Sequence, residues 1–133
     1  QLDTALRRRF AFEELMPEYG LKELDKSIDD ISLKNLLSTL NSRIRAEGPQ
    51  FRDKQIGHSY FMDDCKNIED LRTIFAVEII PLLQDYFYHD YKKLEDKILN
   101  SDFIDSLNDE IKSDWKNDDE NFKAAINKIL TSN

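Results

Sequence analysis

A chain of 133 residues with 40% hydrophobic content is one domain's worth of sequence, with enough apolar side chains to fill a core. Charged residues make up 35%, and three glycines and three prolines are few, a composition typical of helical proteins. The formal net charge of −8 argues against a general nucleic-acid binder, because duplex affinity rests on Lys and Arg contacts to phosphate. The charge is uneven: Arg7 to Arg9 are locally basic, whereas residues 101–133 hold eight acids against four lysines. Any anion chemistry is therefore placed at the N-terminal end. Cys65 is the single cysteine, so neither an intrachain disulfide nor a thiolate metal cage is available, and His58 and His89 are too far apart in sequence to suggest a metal site. No apolar run approaches the ~20 residues of a membrane span and no signal peptide is recognisable. A soluble, cytoplasmic chain without membrane contact is expected.

In chain order, residues 2–9 read as a short helix, with Leu2 and Leu6 at i, i+4 and Arg7 to Arg9 in the last turn. A helix advances about 100° per residue, so three neighbouring guanidinia fan out and at most two reach a common anion. By charge alone this is a solvated basic turn, favourable where cations oppose the helix dipole. Phe10 to Leu15 alternate as a strand. Pro17 to Gly20 is turn chemistry and marks a boundary. Leu21, Leu24 and Ile28 predict a short amphipathic helix, and Ser32 caps the next, whose stripe Leu33, Leu36, Leu37, Leu40, Ile44 is core. Gly48-Pro49 ends it.

Gly57-His58-Ser59 follows a polar loop and precedes Tyr60-Phe61-Met62. The longest predicted helix runs from Asn67 or Ile68 to Tyr88, capped by Asn67, with Glu69 and Asp70 in its first turn. It is apolar over more than half its circumference, so it is central or covers an interface. Pro81 leaves the Val77 carbonyl without its usual partner and predicts a kink or break over residues 77–81. Tyr86 to Tyr91 place aromatic rings beside Asp85 and Asp90, which suits the end of a core better than a base-stacking surface. Two further helices are predicted in the tail. The first is capped by Ser101 or Asp102 and carries Phe103, Leu107, Ile111 and Trp115. The second opens at Asn117 to Glu120 and carries Phe122, Ala125, Ile126, Ile129 and Leu130.

Four blocks carry a family resemblance. Asp3-Thr4-Ala5-Leu6-Arg7-Arg8-Arg9-Phe10 resembles the D-x-A-L-R-R-R-F segment of McrB-type AAA+ NTPases, the GTPase motor subunits of 5-methylcytosine-specific restriction systems. Leu40-Asn41-Ser42-Arg43-Ile44 is similar to their L-N-x-R-I helix, and Ile56-Gly57-His58-Ser59-Tyr60-Phe61 to their I-G-H-S-Y-F segment. Ile79 to Phe87 resembles I-I-P-L-L-x-E-Y-F, with Asp85 where Glu is commoner. The blocks fall in order over residues 1–90, while residues from about 94 onward carry no motif of this kind.

The resemblance implies a mainly α fold, the AAA+ C-terminal helical lid, preceded by an arginine-finger helix and a remnant strand of the α/β nucleotide-binding domain. Three regions follow: 1–18 as the end of the nucleotide-binding core, 19–99 as the lid, and 100–133 as a C-terminal helical extension packed on it. It further implies a ring, most simply a hexamer, hydrolysing GTP or ATP with Mg2+. Arg9 is then the first choice for a finger acting on the neighbouring subunit's nucleotide, Arg8 the second, and Arg7 is structural. Gly57, His58 and Ser59 lie in the second-sensor region, though neither His58 nor Ser59 is the arginine usual there. The alternative for His58 is local: it bonds a backbone carbonyl and fixes its own loop. A different AAA+ clade, the MoxR type, would call for an arginine near position 59, where Ser59 stands. The implied partners are an McrC-type nuclease subunit and DNA, the latter through a separate domain.

No G-x-x-x-x-G-K-[ST] phosphate loop occurs in these residues, so they are expected to be the C-terminal piece of a larger motor and inactive alone, with no cofactor of their own. The competing reading is a stand-alone acidic helical interaction domain, in which Arg7 to Arg9 are merely solvated. The choice between GTP and ATP, the role of residues 100–133 and the oligomeric state stay open at this level.

Overall fold

A computed structural model describes residues 26–61 and 65–131. The predicted finger helix with Arg7 to Arg9, the strand after it and the turn at Pro17 to Gly20 lie outside these residues. So do Leu21 and Leu24, but their predicted helical partner Ile28 does not, and it is not helical. Ser27–Ile28 (β1) pairs antiparallel with Ile31–Ser32 (β2), in the register Ser27 to Ser32 and Ile28 to Ile31. Asp29 and Asp30 make the turn with φ of 48° and 69°. Two left-handed residues in succession close a tight hairpin of the hand that suits twisted strands, and Asp tolerates that region better than most residues. The apolar spacing misled because Ile28 and Ile31 are buried from a hairpin rather than from one helix face.

Leu33–Arg45 (α1) is the central helix. The Ser32 hydroxyl accepts from the Asn35 amide at 3.2 Å, as a cap should, and Leu33, Leu36, Leu37, Leu40 and Ile44 are fully buried. Gly48 follows at φ 139°, a conformation closed to side chains, and a Cβ there would also strike Gln50. Two short 3-10 helices come next, Pro49–Lys54 and His58–Phe61.

The long helix of residues 68–86 starts as predicted: the Asn67 side chain accepts from the Asp70 amide at 2.8 Å. It is built of Ile68–Ile74 (α2), a π-helical turn at Phe75–Ile79, and Ile80–Tyr86 (α3). The wide turn precedes Pro81, with the Ile80 N–H bonding the Phe75 carbonyl, one residue further back than in an α-helix. Lengthening the ladder lets the helix continue past a residue that donates no bond. Val77 sits on this turn and is 60% exposed, whereas Phe75, Ile79, Leu82, Leu83 and Tyr86 are buried.

After α3 the chain turns through Tyr88 and His89, both left-handed at φ 53° and 59°, and the His89 amide bonds back to the Gln84 carbonyl at 2.8 Å. Tyr91–Lys93 (α4), capped by Asp90, runs into a second π-helical turn at Leu94–Ile98.

The tail departs from expectation. The predicted helix carrying Phe103, Leu107, Ile111 and Trp115 is instead a hairpin of Ile104–Asp105 (β3) and Glu110–Ile111 (β4). The Asp105 carboxylate accepts from the Asn108 amide at 3.2 Å and from its side chain at 2.8 Å, and Asp109 takes φ 52°. Side chains of this type favour turns by bonding the local backbone, which competes with a helix. Phe103 and Trp115 are buried, but Leu107 is 95% exposed at the tip. Asp119–Thr131 (α5) forms as predicted, with Asp118 accepting from the Asn121 amide at 3.0 Å and Phe122, Ala125, Ile126 and Ile129 buried.

Helix α5 packs on α1 and α2, and its buried face joins a single apolar cluster with the rest of the described residues. Phe75, Phe103, Trp115 and Phe122 form its aromatic centre, with Phe103 to Trp115 centroids 5.2 Å apart and Phe75 to Phe122 5.5 Å, both edge to face. One ring comes from the π-helical turn, two from the chain around the hairpin and one from α5.

Candidate functional site

Of the residues singled out in the sequence, Arg8 and Arg9 lie outside the described region. Gly57, His58 and Ser59 are within it, at the start of the His58–Phe61 turn. Gly57 and His58 are buried, His58 to 1% exposure, while Ser59 faces solvent. The imidazole is thus held inside the fold and the hydroxyl is presented at its surface.

What holds this segment is the last half of α1. Asn41 is fully buried, and its side-chain amide pairs with both backbone polar groups of Ile56: Nδ2 donates to the Ile56 carbonyl at 2.9 Å, and Oδ1 accepts from the Ile56 amide at 2.6 Å. Buried backbone groups of a loop need such partners, since an unpaired one costs about 1–3 kcal/mol. One turn further on, Arg45 donates to the Gln55 side-chain oxygen at 2.6 Å, and Gln55 Nε2 donates to the Arg52 carbonyl at 2.8 Å. Residues 52–56 are therefore tied to α1 at two places immediately before Gly57.

Arg43, between Asn41 and Arg45, reaches the other way. Nη1 donates to the carbonyls of Ile98 at 3.0 Å and Leu99 at 3.4 Å, and Nη2 donates to Ile129 at 2.9 Å. One guanidinium thus satisfies carbonyls at the end of the second π-helical turn and near the end of α5, where helix carbonyls lack partners of their own. Burial lowers the Arg43 pKa from its ordinary value. Arg72 acts similarly at the start of α5, donating from Nε to the Lys116 carbonyl at 2.8 Å and pairing with Asp119.

Sequence reasoning placed Asn41 and Arg43 in a family block but gave the stripe no role beyond core. The signal was present. Leu37, Leu40, Asn41 and Ile44 fall at i, i+3, i+4, i+7, so the stripe includes a polar residue on its apolar face, and such a residue must find buried partners.

Among the described residues no group of three or more His, Cys, Asp or Glu side chains is placed to hold a metal ion. Cys65 is fully buried, and its burial pushes the thiol up from 9.0 to about 11, with Asp70 adding to the rise and nearby Lys26 opposing it. A thiol so protonated is no nucleophile near neutral pH. No described helix is long and apolar enough to cross a membrane.

The fold is mainly α, with the central helix α1 packed against the equally long α5. Residues 32–95 match the family described as McrB, alpha-helical lid domain. It is 34% identical to the Type IV methyl-directed restriction enzyme EcoKMcrB subunit of Escherichia coli K12, over 69% of this chain. The chain spans 23% of the length of that relative. No solved structure matches.

Proposed function

We propose that this chain is the lid and finger region of a nucleotide-hydrolysing AAA+ ring motor that drives modification-dependent DNA restriction. The observation that carries the reading is the match of residues 32–95 to the McrB lid, with the identity to a methyl-directed restriction subunit extending it along the chain. The fuel is GTP or ATP with Mg2+, bound by parts of the intact protein that contain the phosphate loop. The lid converts occupancy of that site into movement by turning as a unit against the nucleotide domain. A single apolar core and the Arg43 bonds, which join α1 to distant segments, favour such a unit.

Arg9, with Arg8 second, supplies the finger across the subunit boundary. Phosphoryl transfer spreads charge over the equatorial oxygens of the γ-phosphoryl group. A guanidinium remains charged and donates from a planar fork, so it offsets that charge without reorganising. Gly57, His58 and Ser59 border the nucleotide, where Ser59 at the surface offers a hydroxyl and His58 braces the turn from within. The intact protein works with an McrC-type nuclease subunit in the cytoplasm and meets DNA through a separate domain.

The test is Arg9→Ala in the intact protein. Phosphate release is expected to fall by roughly 10³-fold or more, in line with arginine fingers elsewhere, with nucleotide affinity nearly unchanged. Turnover at the wild-type rate removes the finger assignment. These 133 residues alone, lacking a phosphate loop, are expected to release no phosphate from GTP or ATP.

A further inference from the structure

We infer that Asn41 is the positioning residue for the Gly57-His58-Ser59 turn, setting nucleotide affinity without touching nucleotide. The inference rests on the reading that this turn borders the nucleotide. Its structural basis is independent of that reading. A fully buried carboxamide makes two complementary bonds to Ile56, at 2.9 and 2.6 Å, and Ile56 is the residue directly before the turn.

Two bonds to one residue fix orientation as well as distance, because they hold the peptide planes on both sides of Ile56 and rotating either plane breaks one of them. Gly57 and His58 follow without a break, and the Tyr60 amide bonds back to the Gly57 carbonyl at 3.5 Å, so the turn inherits its bearing from Ile56. Asn41 in turn sits on a helix that cannot shift alone. Leu40 and Ile44 beside it are fully buried, and Arg43 ties the same helix to the carbonyls of Ile98 and Ile129. Supporting bonds of this kind, one step removed from the ligand, tune affinity in metal sites by roughly 10- to 100-fold, and the same logic applies to a turn that must meet a ligand in one geometry.

The experiment uses the full-length protein and compares steady-state nucleotide turnover of Asn41→Asp, Asn41→Ser, His58→Ala and Ile126→Val. Asn41→Asp keeps an acceptor for the Ile56 amide but loses the donor to its carbonyl, and Asn41→Ser is a smaller replacement should a buried carboxylate prevent folding. Ile126→Val is a mild core change in α5, remote in sequence from the turn. Assays run well below each variant's melting temperature, with hydrogen exchange at the Ile56 amide as the second readout. The inference expects roughly a ten-fold rise in KM for both Asn41 variants, a smaller change in kcat, and faster exchange at Ile56. Ile126→Val is expected to lower melting temperature while leaving KM alone.

A rise in KM for His58→Ala with wild-type KM in the Asn41 variants overturns the inference and leaves the placement of the turn standing. An unchanged KM in His58→Ala and in the Asn41 variants overturns the placement as well. An equal rise in KM for Ile126→Val shows a general loss of stability and also overturns the inference. If neither Asn41 variant folds while Ile126→Val does, Asn41 is a folding residue and not a positioning one.

Discussion

At the scale of single residues, the lid is held by polar side chains that reach distant backbone. Arg43 joins segments 55 and 86 residues away through carbonyl bonds. Arg43→Met keeps much of the aliphatic stem and leaves those carbonyls without a charged donor. Bonds to charged groups contribute about 1.5–3 kcal/mol each when apportioned by mutation, and these are partly solvated, so a loss of about 2 kcal/mol is expected. Urea unfolding measures it, and a change within error would show that water replaces the guanidinium at no cost.

Cys65 gives a pH signature at the same scale. Its folded-state pKa is raised, from 9.0 to about 11, so the unfolded chain ionises first as pH rises. The unfolded state then binds fewer protons, and stability falls with pH in that window. The advantage of the wild type over Cys65→Ala is expected to be constant below pH 9 and to shrink between pH 9 and 11. A constant difference across that range, by denaturant titration, would mean that the thiol ionises alike in both states.

At the scale of elements, two left-handed residues and the hairpin at residues 104–111 are informative. His89, exposed at φ 59°, carries a Cβ in a conformation that costs an L-residue roughly 1–2 kcal/mol. His89→Gly removes that cost but loosens the unfolded chain and gives up the 3.4 Å contact of Nδ1 with the Tyr91 hydroxyl, so a change within about 0.5 kcal/mol is expected by urea unfolding. The neighbouring Tyr88 likewise makes a contact that a glycine would forfeit, its ring lying 5.2 Å from the Lys54 ammonium.

The segment 101–115 shows what periodicity leaves undecided. Phe103, Leu107, Ile111 and Trp115 repeat at helical spacing, yet Leu107 is 95% exposed and Phe103 and Trp115 are buried. Leu107→Ser is therefore expected to change stability by less than about 0.5 kcal/mol. Phe103→Ala, at the centre of the aromatic cluster, is expected to cost about 3–5 kcal/mol. A helix would have required comparable losses at both positions, so thermal unfolding of the pair separates the two structures.

At the scale of the molecule, the match to the McrB lid ends at residue 95, but the core does not. Phe122, Ala125, Ile126 and Ile129 of α5 are fully buried in the same cluster as Leu36 and Leu40 of α1. Burying a large apolar side chain contributes about 1.5–3 kcal/mol, and small domains hold about 5–15 kcal/mol in all. Ending the chain before Asp119 is thus expected to abolish cooperative thermal unfolding, as followed by circular dichroism. A sharp transition in the shortened chain would show that the matched span folds independently.

The sequence by itself determined what is local. Ser32 and Asn67 cap the helices predicted from them, the stripe Leu33 to Ile44 is buried, and Pro81 marks the place where the long helix changes pitch. Each of these depends on neighbours within about one turn, where side-chain type and spacing act directly. The resemblance, too, was legible within residues 32–95, from the blocks at Leu40 to Ile44, Ile56 to Phe61 and Ile79 to Phe87. The tertiary structure decided which way ambiguous spacing resolved and what the polar residues of α1 do. Ile28 and Phe103 are buried from hairpins because Asp29-Asp30 and Asn108-Asp109 accept turn geometry, a competition between local bonds and helix that apolar spacing does not record. Asn41 and Arg43 find their partners 15 to 86 residues away. No periodicity points that far, because a buried hydrogen bond is specified by where the chain returns in space and not by what lies beside it in sequence.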